Sequence, residues 1–392
     1  MVGGKIMMLD VVEFTKELVK IPSITGNESN LAAFIKENIK SFFDTVKIDS
    51  KGNIVGKLFF SKERPTILFN GHIDTVDPGE MKEPFSGKIM DGDEFMIKGK
   101  IIYGRGTADM KGADAAYITA ISKINKIENP PNIILHLVVK EEPGRGEGTK
   151  FVMDHIEERP DVAIVGEPTN LDICLGFRGW VQFQLEILGK TAHAGNPSQG
   201  INAVLKMRDF LNELQGYITT QELKVHPFLG KATCAVTNIE CSPGRLSVIP
   251  DRCRLVFDSR YFPEETASDR KKELLSILNN LEKKDPDFKS EFKVLYDGMR
   301  PTFIQPNNHY VQILKEVIEK ITGNSPNFIS KVATCDSSYI VNDYGIPTIV
   351  FGPGFDSVAH TSSEYVPVDN LIIAEKVYLE FMDSIVQKGI SK

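Results

Sequence analysis

Cysteine is scarce in this chain and poorly paired along it. Cys174, Cys234, Cys241, Cys253 and Cys335 are five residues with no close pair. That excludes a disulfide framework and a Cys-rich zinc finger, and fits reduced thiols in a cytoplasmic protein. No apolar run reaches the roughly 20 residues that cross a bilayer. The start, Met1-Val2-Gly3-Gly4-Lys5, leads into an apolar stretch too short for a signal peptide, which Asp10 and Glu13 soon interrupt. Runs of basic residues interleaved with aromatics are missing as well. The net charge of −7 argues against nucleic acid or an anionic membrane as partner. Repeats, low-complexity segments and long Ser/Gly linkers do not occur. What is present is an ordinary globular composition, 41% hydrophobic and 25% charged over 392 residues. A chain of that length holds about two or three domains with an ample core.

Against this background a set of His and acidic motifs stands out. His72 and Asp74, in Asn70-Gly71-His72-Ile73-Asp74, follow the strand-like run Thr66-Ile67-Leu68-Phe69. A carboxylate two residues beyond a strand-end imidazole lies on its face. There it takes the ring N–H that a metal leaves free. A chance His-X-Asp on the surface is the plain alternative. Next comes Tyr103-Gly104-Arg105-Gly106-Thr107-Ala108-Asp109-Met110-Lys111-Gly112. Its glycines describe a tight turn that either fixes the Asp109 carboxylate or makes Asp109 a helix N-cap. Glu141 and Glu142 close the strand Ile133–Val139. Adjacent carboxylates repel one another and are costly at a buried site without cations. Successive side chains of an extended chain point opposite ways, so one can hold a metal while the other addresses the reacting water. A solvated acidic turn is the alternative, with Arg145, Glu147 and Lys150 close behind. Glu167 caps Val162–Val165, and His360 follows the strand Thr348–Phe351 and the loop Gly352-Pro353-Gly354. The carboxyl ends of strands are where open α/β sheets assemble ligand sites. Imidazoles and carboxylates without thiolate suit catalytic zinc, cobalt or manganese.

The organisation supports this. Val11, Phe14, Leu18 and Ile21 have helical spacing that Pro22 stops, and Leu31, Phe34, Ile35, Ile39 and Phe42 mark a second helix with Asn30 as its cap. Strands and helices then alternate up to Glu167, predicting an α/β fold with a largely parallel sheet flanked by helices. Val181–Ile187 alternates strictly. With a helix over about 202–218, strands near 233–237 and 253–257, a helix over about 268–281 and a strand at 292–296, it predicts an inserted α+β lid, a four-stranded antiparallel sheet covered by two helices. The expected divisions are 1–178 for the first part of the catalytic domain, 179–297 for the lid and 298–392 for the second part.

Motifs and order together resemble the dinuclear zinc hydrolases that include acetylornithine deacetylase, succinyl-diaminopimelate desuccinylase, aminoacylase and glutamate carboxypeptidase. The resemblance covers nearly the whole chain. It implies a zinc-exopeptidase-like fold and two divalent metal ions, Zn2+ with Co2+ or Mn2+ as alternatives. His72 and Glu167 would hold one and Glu142 and His360 the other. Asp109 would bridge them, often across a cis peptide to Met110, with Glu141 as general base and Asp74 orienting the metal-bound His72. His193, in Gly189-Lys190-Thr191-Ala192-His193-Ala194-Gly195, matches the lid histidine that reaches the partner's active site in dimeric members, which implies a homodimer through the lid. Its other reading is a plain loop histidine. Arg260 resembles a lid arginine, and Arg178 stands at the apparent hinge. Either would take a substrate carboxylate bidentately or form a structural salt bridge. Thr334 and Asp336 match a weaker substrate-side motif. Ser247 stands where the family often has Asn before Val248-Ile249-Pro250, a departure at a substrate contact.

The resulting expectation is an amidohydrolase of N-acyl amino acids working through metal-activated water. The alternative is a carboxypeptidase or dipeptidase that takes short peptides. A non-catalytic relative is opposed by the presence of both Glu141 and Asp109. Glu167–Leu171, His226–Lys231 and Gly298–Thr302 further resemble a branch associated with selenium and purine metabolism.

Overall fold

The computed structural model describes residues 9–389, so the start read at Met1–Lys5 lies outside the described residues. The chain divides into two compact units. One comprises the described residues up to Gly176, Ile304–Ser330 and those from Cys335 onward; the other comprises Phe177–Phe303 and Lys331–Thr334. The division thus falls before Arg178 rather than after it, and Thr334 belongs with the second unit.

The first unit is built on a mixed sheet. Seven of the nine strands of this sheet run in the order Thr45–Ile48, Ile54–Leu58, Asn132–Val138, Thr66–His72, Val162–Val165, Thr348–Val350 and Ile173–Phe177, and Phe328–Lys331 also pairs with the last of these. The four strands from Asn132–Val138 to Thr348–Val350 are mutually parallel, while the flanking pairs are antiparallel. The sheet is therefore parallel only in its middle. That is also where Thr66–His72 and Asn132–Val138 are buried at every position, as strands covered on both faces must be. Helix Gly112–Ile121, buried throughout, and helix Val368–Lys388 supply aromatic cover. Phe69, Tyr117 and Tyr378 meet with ring centroids 5.2–5.7 Å apart. The Tyr117 hydroxyl donates to the Asn70 carbonyl at 3.0 Å, two residues before His72. Gly71 has no room for a side chain, since a Cβ there would lie 2.1 Å from Asp114 Oδ1.

Helix Val11–Lys20 starts at Asp10, whose carboxylate accepts the N–H groups of Val12 and Glu13 at 3.0 Å. The second helix is Ser29–Ile39. Asn30 does not cap it, because the helix begins one residue earlier and Asn30 already lies in its first turn.

The second unit has four antiparallel strands in the order Thr233–Ser242, Arg252–Tyr261, Gly179–Leu188 and Lys289–Met299, with helices Ala203–Glu222 and Ala267–Lys284. Asn202 caps the first helix and a Thr266–Asp269 capping box starts the second. The alternation of Gly179–Leu188 sends Val181, Phe183, Leu185 and Ile187 into a core shared with Phe210, Leu255, Phe257 and Leu274. No helix among the described residues is long and apolar enough to cross a membrane.

His136, buried in Asn132–Val138, carries a pH prediction. Burial, with Lys57 adding to it, pushes its imidazole down to about 3. The folded chain keeps His136 neutral between that value and the unfolded value near 6.5, where the unfolded chain takes a proton. Stability is therefore full above pH 6.5 and falls as pH drops toward about 3, by at most about 1.4 kcal/mol per pH unit. Urea unfolding across this window is expected to show that slope, and His136→Gln to flatten it. An unchanged slope in the variant rules His136 out as the source.

Candidate metal centre

Three neighbouring parallel strands deliver their carboxyl ends to one place. His72 ends the first, Glu141 and Glu142 follow the second by a few residues, and Glu167 follows the third. The other two candidates arrive by a separate route. Strand Lys100–Tyr103 pairs with Tyr365–Pro367, Tyr103 opposite Tyr365. The turn after the first carries Asp109 and the loop before the second carries His360.

The donors converge. Asp109 Oδ1 lies 2.9 Å from His72 Nε2 and Asp109 Oδ2 lies 3.2 Å from His360 Nε2. Glu142 Oε2 is 2.9 Å from His360 Nε2, and Glu167 Oε1 is 3.7 Å from His72 Nε2. Ligand atoms of His72, Asp109 and Glu142 fall within 4.8 Å of one another, as do those of His72, Glu141 and Glu167. His72 is common to both groups, and Asp109 turns one carboxylate oxygen to His72 and the other to His360. Asp109 is no helix cap: its backbone is non-helical, the helix begins at Gly112, and the Asp109–Met110 peptide is cis.

The supporting shell differs in part from expectation. His72 Nδ1 donates to the backbone carbonyl of Asp74 at 2.9 Å, while the Asp74 carboxylate stands 3.7 Å off. That carboxylate accepts instead from the N–H of Glu141 at 3.0 Å, the N–H of Glu142 at 3.3 Å and the Thr25 hydroxyl at 2.9 Å. Asp74 thus orients the imidazole through its main chain and fixes the Glu141–Glu142 backbone through its side chain. Sequence reasoning missed Glu364. Fully buried, it accepts from the N–H groups of Ala108 at 2.9 Å and Asp109 at 3.1 Å and pairs with buried Arg105, whose other nitrogen donates to the Thr361 carbonyl at 3.0 Å. One ion pair thereby holds both the Asp109 turn and the His360 loop. The signal was available: an acidic residue four positions after His360, and an arginine four before Asp109. A second omission is Thr149, whose hydroxyl donates to Asp336 at 2.5 Å.

Charge decides whether cations fit. Burial disfavours a charged His72, yet hydrogen bonding and attraction from Asp109 outweigh it and hold the ring well above its ordinary value. His360 is raised to about 10, first by Asp109 and then by Glu142. Glu141 is pushed well up by burial and next by Asp336. A cluster that draws protons onto both imidazoles and onto a carboxylate carries the excess negative charge that divalent cations neutralise. The donor set fits such ions.

His193, Arg178, Arg260 and Thr334 belong to the other unit. His193 is exposed, and its Nδ1 accepts the Gly195 N–H at 3.0 Å, which places the ring proton on Nε2. Arg260 is paired with Asp258 at 2.8 Å and lies over the Trp180 ring at 5.1 Å. Arg178 donates to the Lys231 carbonyl. Its guanidinium is held below its usual value by burial and then by Arg260.

Nitrogen and oxygen donors gathered in this way on a mixed α/β sheet are the equipment of metal-dependent hydrolases of amide and peptide bonds. The chain belongs to one such family, peptidase family M20/M25/M40, whose model matches residues 68–384. It is 29% identical over 392–399 aligned positions to two curated proteins. One is the uncharacterized protein YgeY of Escherichia coli K12, covering 94% of this chain and 93% of that one; the other is a succinyl-diaminopimelate desuccinylase of Wolbachia pipientis, covering 96% and 93%. Among solved structures it is similar to a tripeptidase from Staphylococcus aureus, with a TM-score of 0.77 and 23% identity over 97% of this chain and 100% of that one. A Bacillus subtilis protein described as a dinuclear metal-binding peptidase of the same family shares the fold.

Proposed function

We propose that the chain is a two-metal amidohydrolase that removes the acyl group from an N-acyl amino acid, in a deacetylase- or desuccinylase-like reaction. The observation that carries this reading is Asp109, with one carboxylate oxygen toward His72 and the other toward His360, the arrangement a bridging ligand needs. His72 and Glu167 hold one cation, Glu142 and His360 the other, and Asp109 both. The ions are zinc, with cobalt or manganese as substitutes for the same donors. When bound, they supply Lewis-acid polarisation of the amide carbonyl and acidify water. Glu141 takes a proton from the attacking water and returns it to the leaving nitrogen. Asp74 holds the Glu141 backbone for that transfer.

His193 provides the donor for the developing oxyanion through its Nε2 proton, and does so from the partner subunit of a homodimer. Arg260 and Arg178 take the substrate carboxylate, and Thr334 is a further substrate contact. Two guanidiniums within electrostatic reach of each other, Arg260 paired with Asp258, support an anion as ligand. The desuccinylase relative supports the acyl reading over the peptidase one. Five cysteines without a disulfide agree with a cytoplasmic setting.

Zinc-loaded protein assayed on N-acetyl and N-succinyl amino acids alongside dipeptides is expected to release the acyl group, to lose this activity to a chelator and to regain it with zinc or cobalt. Hydrolysis of dipeptides alone would transfer the same machinery to the peptidase reading. Sedimentation as a monomer at assay concentration would remove the role of His193 in the partner's site.

A further inference from the structure

Cys241 and Cys253 are far enough apart in sequence to read as unrelated thiols. The antiparallel register of Thr233–Ser242 and Arg252–Tyr261 sets them directly opposite each other. The flanking pairs, Glu240 with Arg254 and Ser242 with Arg252, are in unbroken register, and the bulge of this ladder lies away from them at Val236/Asn238. Directly opposed residues of an antiparallel pair project to the same face, with Cβ atoms about 4.5–5.5 Å apart. A disulfide spans about 3.5–4.5 Å between Cβ atoms. The remaining adjustment falls on Thr233–Ser242, which is the sheet's edge and is paired on one side only. Accessibility is divided between the two thiols. Cys241 is exposed, whereas Cys253 is 1% exposed and packs in the core of this unit. Burial raises the Cys253 thiol, and Cys241 is the next contributor, so the two groups lie within electrostatic reach.

We propose that Cys241 and Cys253 form a redox site that closes into a cross-strand disulfide when the chain meets a peroxide. The exposed Cys241 sulfur attacks one peroxide oxygen, the O–O bond breaks, and Cys241 becomes a sulfenic acid with release of water. The Cys253 sulfur then attacks the Cys241 sulfur and the S–O bond breaks. The departing hydroxide takes the Cys253 proton and leaves as a second water. Both thiols are oxidised by one electron each, and the peroxide is reduced by two. The buried thiol needs no contact with the oxidant, because it acts only as the resolving partner. The bond ties the exposed edge strand to its neighbour across the turn 243–251.

The test is hydrogen peroxide in small excess on the full-length, metal-loaded protein, followed by thiol titration in denaturant and non-reducing peptide mapping. Free thiols are expected to fall from five to three per chain, two being consumed, with peptide 232–245 joined to peptide 253–254. Cys241→Ser, a change at an exposed position, is expected to retain all four of its thiols under the same treatment. The oxidised wild type is also expected to melt at a higher temperature than its reduced form. Recovery of Cys241 as sulfinic acid beside an intact Cys253 thiol would overturn the proposal. So would a disulfide joining Cys241 residues of two copies.

Discussion

Glu141→Gln is expected to lower turnover by about 10²–10⁴-fold, the share that a positioned acid–base group supplies, while bound metal stays near the wild-type amount. The substitution keeps the shape of a buried side chain and its backbone hydrogen bond to Asp74, and Glu141 is the acidic member of the cluster assigned to no cation. Metal content by elemental analysis and kcat on an N-acyl amino acid are the two readouts. Wild-type turnover would take Glu141 out of the mechanism. Loss of both metals would make it a ligand instead.

Glu364→Ala is expected to destabilise the metal-free chain by about 3–5 kcal/mol, the cost of leaving one member of a buried ion pair without the other. Arg105 and Glu364 are 2% and 1% exposed, so solvent cannot stand in for the lost partner. The same change frees the N–H groups of Ala108 and Asp109, so weaker metal binding accompanies the loss. Urea unfolding of the metal-free protein isolates the structural effect, and a double substitution of Arg105 and Glu364 by Met and Leu is expected to recover most of it. A loss under about 1 kcal/mol for Glu364→Ala would show that the pair does not hold the two loops.

The residues that converge in the candidate centre were legible in the sequence because each carries its own local punctuation. His72, Glu142 and Glu167 stand at or just beyond apolar strands. Asp109 lies among glycines, and His360 follows a Gly-Pro-Gly loop. The α+β insertion was legible through the strict alternation of Val181–Ile187 and the helical stretches around it. Less accessible were roles that depend on direction within a residue. A side-chain carboxylate at Asp74 looks like the partner of an imidazole two residues away, yet the backbone carbonyl lies closer and the carboxylate turns to the Glu141–Glu142 turn. Asn30 looked like a cap because capping residues are recognised by type, and the helix starts one residue before it.

By itself the sequence determined which side chains are available for chemistry and on what kind of element each one sits, since strand ends, glycine turns and helix starts are local properties of a few neighbouring residues. Tertiary structure alone decided that these side chains meet. His360 reaches Asp109 because Tyr365–Pro367 pairs with Lys100–Tyr103, and Cys241 faces Cys253 because of the register of one hairpin. Strand partners separated by more than two hundred residues are chosen by the packing of the whole unit. That choice leaves no mark on the residues either side of the donor.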